Sequence, residues 1–189
     1  MSAARRLSAR PLRKGLAAGI LVQSASPDAE LPFAEVFDDW VRSASLAFGA
    51  HPLLSERALA SAQRELMQLL TGICGWPLLI AFQVFRHADG PGLNAATDRE
   101  YTRFVQRLRD GALEDFLSEY PELSRLAALC VRNWQAAYFD LLGRLERDRS
   151  DLVKMFGPGA AGRIACIDPG LSDRHQGRTV IGVTLASGL

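Results

Sequence analysis

The stretch that decides the fold class is residues 157–189, which read GPGAAGRIACIDPGLSDRHQGRTVIGVTLASGL. Within it, Arg163–Asp168 and Thr179–Leu185 are short segments in which apolar side chains recur at every second position. This alternation predicts two β-strands joined by the polar loop Pro169–Arg178. A lone two-stranded ribbon is marginally stable unless something covers it, so we interpret the pair as the beginning of a larger sheet.

Residues 32–156, which precede this stretch, show helical periodicity throughout. One apolar face starts after Pro32, and a second follows Ser55, which occupies an N-cap position. The first face consists of Phe33, Val36, Phe37, Trp40, Val41, Ala44 and Phe48. The second consists of Leu59, Ala62, Leu66, Leu69, Leu70 and Ile73. The pattern therefore predicts a packed helical bundle over residues 32–156.

Helix-breaking residues predict how this bundle is divided. Gly72, Gly75 and Pro77 are expected to end the second helix. We interpret Leu78–Phe85 as a separate short buried helix because its surroundings are helical, although periodicity alone also allows a strand. Pro121 is expected to open the longest helix of the chain, with about 25 residues. Its inward stripe is expected to contain Leu123, Leu126, Leu129 or Cys130, Trp134, Ala137 or Tyr138, Leu141 and Leu145.

The tryptophans, the charged residues and the cysteines limit the class of protein to which the chain can belong. We expect Trp76 and Trp134 to fill core space between helices. With 48% hydrophobic and 23% charged residues, the 189-residue chain is neither disordered, collagen-like nor a disulfide scaffold. It contains no run of about 18 apolar residues, so no membrane-spanning helix is predicted. Cys74, Cys130 and Cys166 form no CxxC pair, which indicates a reducing, cytoplasmic location and no zinc cluster.

The net charge of +1 conceals an asymmetry between the N-terminus and the rest. All charged residues before Asp28 are basic, so the remainder is mildly acidic, carries no basic stripe and is expected to have no nucleic-acid partner. The basic residues precede the apolar run Gly15–Val22, an order that also occurs in secretory signal peptides. Because that run is short and contains Gly19, we favour a disordered or loosely docked arm over residues 1–31, with secretion as the alternative.

The division into domains follows from these patterns. We predict an arm over residues 1–31, a helical subdomain over 32–156, and a linker plus β-hairpin over 157–189. The linker Gly157–Gly162 has the spacing GxGxxG, but a dinucleotide fingerprint needs a strand before the glycines and a helix after them. Here the predicted order is reversed and Pro158 removes a backbone donor, so we interpret the segment as a flexible linker.

The loop between the predicted strands combines side chains that suit phosphate. Asp173, His175, Gly177 and Arg178 supply a carboxylate, an imidazole, a glycine and a guanidinium. Such a loop can fold over polyphosphate through its backbone N–H groups. Spacing alone favours an ordinary polar hairpin loop instead, with Asp173 bonded locally and Gly177 in a left-handed conformation.

The stretch 168–189 resembles the dehydratase domain of class II lanthipeptide synthetases, the LanM-type enzymes. It reads DPGLSDRHQGRTV and then, after a short gap, TLASGL. Several upstream segments also resemble the family and occur in the same order as in the family. They are LPF at 31–33, YTRFV at 101–105, EYPELSRL at 119–126, Trp134 and RDR at 147–149. The resemblance covers about residues 31–189.

This resemblance implies a fold, a reaction and three site residues. The fold would be mainly α, a helical bundle followed by the hairpin that begins the N-lobe of a lipid-kinase-like core. The reaction implied is phosphorylation of Ser and Thr hydroxyls of a lanthipeptide precursor peptide with ATP and Mg²⁺, followed by phosphate elimination to dehydroalanine or dehydrobutyrine. Asp173, His175 and Gly177 match the Asp-x-His and glycine of the family's phosphate loop.

Two departures from the family pattern qualify these expectations. The family loop commonly has two glycines between its His and Arg, whereas Gln176 and Gly177 stand there in this sequence. The Tyr-Lys-Pro lysine, the catalytic Asp, His and Asn, and the Mg²⁺-binding Asp of the family are not found before Leu189. We therefore expect an N-terminal fragment with no complete catalytic set, no metal site, no tight ATP binding and no dehydration activity of its own. The alternative is a non-enzymatic helical module that binds a peptide or a partner subunit.

Overall fold

The computed structural model describes residues 31–88, 98–173 and 179–189. It is mainly helical and carries an antiparallel β-hairpin after the helices, as the sequence predicts. The helices are α1 (Asp38–Gly49), α2 (Glu56–Ala88), α3 (Asp98–Arg107), α4 (Leu113–Glu119), α5 (Pro121–Arg147) and α6 (Arg149–Phe156), and the strands are β1 (Ile164–Pro169) and β2 (Ile181–Leu185). The predicted arm lies outside the described residues except for Leu31.

Helix α2 is the centre of the fold and packs against α1, α3, α5 and β1. It is one helix of 33 residues with Pro77 inside it, so the predicted break and the separate helix Leu78–Phe85 are wrong. An interior proline costs about 3 kcal/mol. The buried stripe nevertheless keeps its phase across Pro77, with Cys74 before it and Leu78 and Phe82 after it. Burying Leu78 and Phe82 contributes about 1.5–3 kcal/mol each, which offsets the cost of the proline.

Helix α5 has 27 residues, so the prediction that it would be the longest helix is also wrong. Its fully buried positions are Ala127, Trp134, Tyr138 and Leu142, whereas Leu126 is 44% exposed. The predicted stripe is confirmed at Trp134 and Tyr138, whereas Ala127 and Leu142 are the fully buried residues where Leu126 and Leu141 were expected. Of the two tryptophans expected in the core, Trp134 is buried and Trp76 is 66% exposed.

Two aromatic clusters hold the helices together. In one, the ring of Phe48 stacks on Tyr138 with centroids 5.5 Å apart, and Tyr138 Oη donates a hydrogen bond of 2.8 Å to the buried Glu65 carboxylate. In the other, Phe33 contacts Phe82 of α2 at 6.4 Å between ring centroids. Phe33 has a left-handed backbone with φ 60°, and this costly conformation is held by burial and by the Phe33 N–H···Oη bond of 2.8 Å to Tyr101.

The β-hairpin shares the core of the helices. The strands pair from Ile164 opposite Leu185 to Pro169 opposite Ile181, with a bulge between Ile164 and Cys166. Ile164 and Ile167 are buried, and β1 packs on α2. The helices thus supply the cover that a lone two-stranded ribbon needs.

Backbone hydrogen bonds join β1 to the segment that precedes α2. The Ile164 N–H donates to the Leu53 carbonyl at 2.7 Å, and the Ser55 N–H donates to the Ile164 carbonyl at 3.1 Å. The Ser55 hydroxyl also accepts the Ala58 N–H at 3.1 Å, which confirms Ser55 as the cap of α2. One serine therefore connects the start of the central helix to the hairpin.

The segment Gly157–Gly162 lies between α6 and β1, so the helix-before, strand-after order predicted for it is confirmed. It is not a flexible linker, because Pro158–Ala161 forms a 3₁₀ turn in which Ala160 is buried. The Ser187 hydroxyl donates a 2.9 Å hydrogen bond to the Gly159 carbonyl. The turn is thereby packed against the residues that follow β2.

By length and composition alone, α2 could cross a membrane. The sequence analysis predicts no membrane-spanning helix here because the polar residues Gln68, Thr71 and Gln83 interrupt the apolar run of α2. In the fold the same helix carries the buried stripe of the core, with Leu66 and Leu70 at 0% exposure. Its apolar composition is thus partly explained by its central position.

Candidate functional site

The neck of the hairpin loop is closed by hydrogen bonds between its two sides. The Leu171 N–H donates to the Val180 carbonyl at 3.1 Å, and the Val180 N–H donates to the Ser172 hydroxyl at 3.0 Å. The Thr179 hydroxyl donates to the Ser172 carbonyl at 2.8 Å. We call Leu171, Ser172, Thr179 and Val180 the loop neck.

Glycines position the start of this loop. Gly170 has φ 82°, a left-handed conformation that suits the turn at the end of β1. A Cβ added to Gly182 would lie 3.0 Å from Leu171 Cδ1 and 3.4 Å from Asp168 Cβ. Leu171 therefore lies close over β2 at Gly182, and a side chain at this position would require Leu171 to shift by a few tenths of an ångström.

Asp173 is the one predicted site residue that the structure describes. It is exposed at the loop neck, and its backbone carbonyl accepts a hydrogen bond of 3.2 Å from the Ser172 hydroxyl. His175 and Gly177 lie outside the described residues. The convergence of the three residues on a phosphate thus stays a prediction, and the structure supplies the frame on which Asp173 is held.

A second concave region, which the sequence did not reveal, lies on both sides of Trp40. One cavity of about 480 Å³ lies between α1 and α5, and another of about 420 Å³ lies between α1 and the π-turn Leu108–Ala112. Asp39 and Trp40 line both cavities, so we call the two together the Trp40 groove. The first is lined further by Ser43, Ala44, Ser124, Ala128, Val131, Arg132 and Gln135.

The π-turn shapes the far end of the Trp40 groove. Gly111 has φ 118°, a conformation that interrupts the helical backbone between α3 and α4. Arg109, Asp110 and Glu114 line the cavity beside it. The groove thus runs from a largely apolar part beside α5 to a charged part at the π-turn. Sequence reasoning missed it because its walls come from segments far apart in the chain, and Trp40 fits the same apolar pattern as its buried neighbours.

Other reactive side chains have structural roles. The His51 Nε2 lies 3.3 Å from Glu146 Oε1, and its Nδ1 accepts the Leu53 N–H at 3.3 Å, so this histidine ties α5 to the segment before α2. Burial and, to a smaller extent, the neighbouring Cys130 together raise the pKa of the Cys74 thiol to about 11. This thiol is therefore a poor nucleophile at neutral pH. Among the described residues, no three His, Cys, Asp or Glu side chains are grouped as metal ligands.

Comparison with known families places part of the chain. The model of a domain of unknown function, DUF4135, matches residues 120–189. The matched part starts at the residue before α5 and runs through α6, the 3₁₀ turn and the hairpin with its loop neck. No curated protein matches the chain. Over less than half of its length, then, the chain is similar to DUF4135, and this part contains the candidate phosphate loop.

Proposed function

We propose that this chain is the N-terminal part of the dehydratase domain of a class II lanthipeptide synthetase. The observation that carries the proposal is the stretch 168–189, whose sequence resembles that family. This stretch contains β2, the end of β1 and the loop neck, and it lies inside the part that matches DUF4135. The upstream resemblances, in the same order as in the family, support the same assignment for the helices.

In the proposed enzyme the hairpin loop contacts the phosphates of ATP. Phosphoryl transfer depends on positioning and on neutralising charge, so the loop needs a rigid base more than it needs a reactive side chain. That base is β1, whose Ile164 and Ile167 are anchored in the helical core. Asp173, His175 and Gly177 are assigned to the loop's phosphate contacts.

Two steps make up the proposed reaction. The Ser or Thr hydroxyl oxygen of the peptide gives its proton to a base and attacks the γ-phosphorus of ATP, the bond from that phosphorus to the β–γ bridging oxygen breaks, and ADP leaves. A base then removes the Cα proton, the Cα–Cβ double bond forms, and phosphate leaves with the Cβ–O electron pair. At the loop neck the described residues offer the single carboxylate of Asp173, and this does not amount to a Mg²⁺ site. We assign no Mg²⁺ ligand to it.

The product assay tests this proposal. The protein that carries this chain is incubated with a precursor peptide containing Ser and Thr, with ATP and Mg²⁺, and the peptide is analysed by mass spectrometry. We expect a phosphorylated intermediate and then the loss of one water per modified residue. A peptide whose Ser and Thr are replaced by Ala serves as the control. Unmodified precursor in the presence of ATP and Mg²⁺ would contradict the proposal.

A second candidate function is a non-enzymatic helical module that binds a peptide. The Trp40 groove favours it, because its two cavities together have the size of a ligand pocket and combine an apolar and a charged part. A module of this kind binds peptide equally well with or without ATP. Loss of peptide binding in Trp40→Ala, with no modified product from the unaltered protein under any condition, would favour this function over the dehydratase.

A further inference from the structure

Helix α2 exposes an apolar face on the side opposite its buried stripe. Trp76 is 66% exposed, Ile80 51%, Val84 64% and Leu79 37%. We call these four residues the outer stripe. No charged residue interrupts α2 from Leu66 to Phe85. Apolar patches of this kind are usually covered in monomeric proteins, and the described residues leave this one open.

The N-terminal residues join the fold beside this helix. Leu31 leads into Phe33, whose ring packs against Phe82 of α2 and whose backbone is fixed by Tyr101. The described part therefore begins on the inner side of α2, and Phe82, which Phe33 contacts, lies within about two turns of every residue in the outer stripe along the helix axis.

The distance around α2 is within reach of the chain. Half the circumference of a helix with its side chains is about 16–19 Å, given a diameter of about 10–12 Å. The eight residues Gln23–Glu30 span up to about 26–29 Å when extended. The preceding segment Gly15–Val22 can therefore lie over the outer stripe.

The chemistry of this segment fits an apolar face. Residues 15–22 read GLAAGILV, with four large apolar side chains and no charge. The other segment near α2 that the structure does not describe, residues 89–97, reads DGPGLNAAT and has one large apolar side chain, Leu93. Of the two, only residues 15–22 carry enough apolar side chains for a stripe of four.

We propose that residues 15–22 of this chain pack on the outer stripe of α2 and act as a built-in cover. The cover buries Trp76, Ile80 and Val84 against Leu16, Ile20 and Leu21. It leaves the basic residues Arg13 and Lys14 at the edge of the contact, in water. The apolar run that resembles a secretory signal thereby has a role in the folded protein, independent of the dehydratase reaction.

Hydroxyl-radical labelling of Trp76, read by mass spectrometry of its peptide, tests the cover. Leu21→Asp places a charge inside the proposed contact without touching the described core. Leu7→Asp is the matched control, because it makes the same substitution before the apolar run. Labelling of the buried Trp134 serves as the internal reference for an intact fold.

Trp76 is 66% exposed without the cover, and we expect the cover to reduce its exposed fraction to roughly 20%. Trp76 should therefore be labelled about threefold faster in Leu21→Asp, which lacks the cover, than in the unaltered chain. Leu7→Asp is expected to match the unaltered chain. Equal labelling of Trp76 in all three would overturn the proposal. So would protection of Trp76 that disappears on dilution, which indicates a second copy, or protection that needs anionic lipid vesicles, which indicates a membrane.

Discussion

Replacing Ile164 by Ala probes whether the hairpin and the helices form one structure. The Ile164 side chain is fully buried and its backbone is bonded to Leu53 and Ser55. Truncating a buried Ile to Ala removes its transfer free energy and leaves a cavity, at a cost of about 2–5 kcal/mol. We expect about 3–4 kcal/mol here, because the backbone on both sides is held by hydrogen bonds and the site cannot collapse easily. Val180→Ala, on an exposed residue of the same hairpin, is expected to cost less than about 0.5 kcal/mol.

Urea unfolding followed by far-ultraviolet circular dichroism measures this effect. The signal comes mainly from the helices, and the altered residue lies in the hairpin. With a slope of about 2 kcal/mol per molar urea, the midpoint is expected to fall by about 1.5–2 M in Ile164→Ala. If the helical signal of Ile164→Ala melted at the same urea concentration as that of Val180→Ala, the shared core would be refuted.

Gly111→Ala is expected to destabilise the fold by about 1–2 kcal/mol, because φ 118° is unfavourable for alanine, whereas Gly143→Ala, inside α5 with open space around the added Cβ, is expected to stabilise it by up to about 1 kcal/mol. Both are checked by urea midpoints. Cys74 keeps its proton in the folded state up to about pH 11 but loses it near pH 9 when unfolded. The stability present below pH 9 should therefore fall by about 2–3 kcal/mol by pH 11, and Cys74→Ala should remove this part of the pH dependence of the urea midpoint. In the protein that carries this chain, Asp173→Asn and His175→Ala are each expected to lower the yield of phosphorylated precursor about a hundredfold by mass spectrometry, with unchanged unfolding midpoints.

Local patterns in the sequence were sufficient for the element types. The alternation around Ile181 and Val183 reflects a strand with one face on a core, and the helical spacing from Phe37 to Phe48 reflects α1, which has one buried face. Phe33 and Val36 fit the same pattern, but Phe33 is left-handed and Val36 ends a 3₁₀ turn before α1, so the helix predicted to start after Pro32 begins only at Asp38. Such patterns arise because burial selects apolar side chains at the period of the backbone. They predict the hairpin and the inward side of α1 from short segments alone.

The continuity of α2 could not be predicted in the same way. Pro77 is a local signal for a break, and it is overridden by packing of Leu78 and Phe82 against elements far away in the sequence. Trp76 was misplaced for a related reason. It lies two positions from both Cys74 and Leu78, about 200° around the helix, so the face that buries those two residues turns the indole outward.

The two candidate sites differ in the same way, because one is a local stretch of sequence and the other is assembled from distant elements. Asp173, His175 and Gly177 stand within five residues of the sequence, so a motif can propose them together; their role stays a prediction, and the structure adds the hydrogen-bonded neck beside Asp173. The Trp40 groove is built from α1, α5 and the π-turn, which meet only in the folded chain. No local pattern could have predicted it.

The central claim is that the hairpin loop contacts the phosphates of ATP. Hydrogen exchange of the peptide spanning residues 171–180, in the protein that carries this chain, tests it most directly. We expect ATP with Mg²⁺ to slow exchange at the backbone amides of this loop, and Asp173→Asn to reduce the slowing. If ATP supported dehydration of the precursor while exchange in residues 171–180 stayed unchanged, the assignment of this loop would be contradicted.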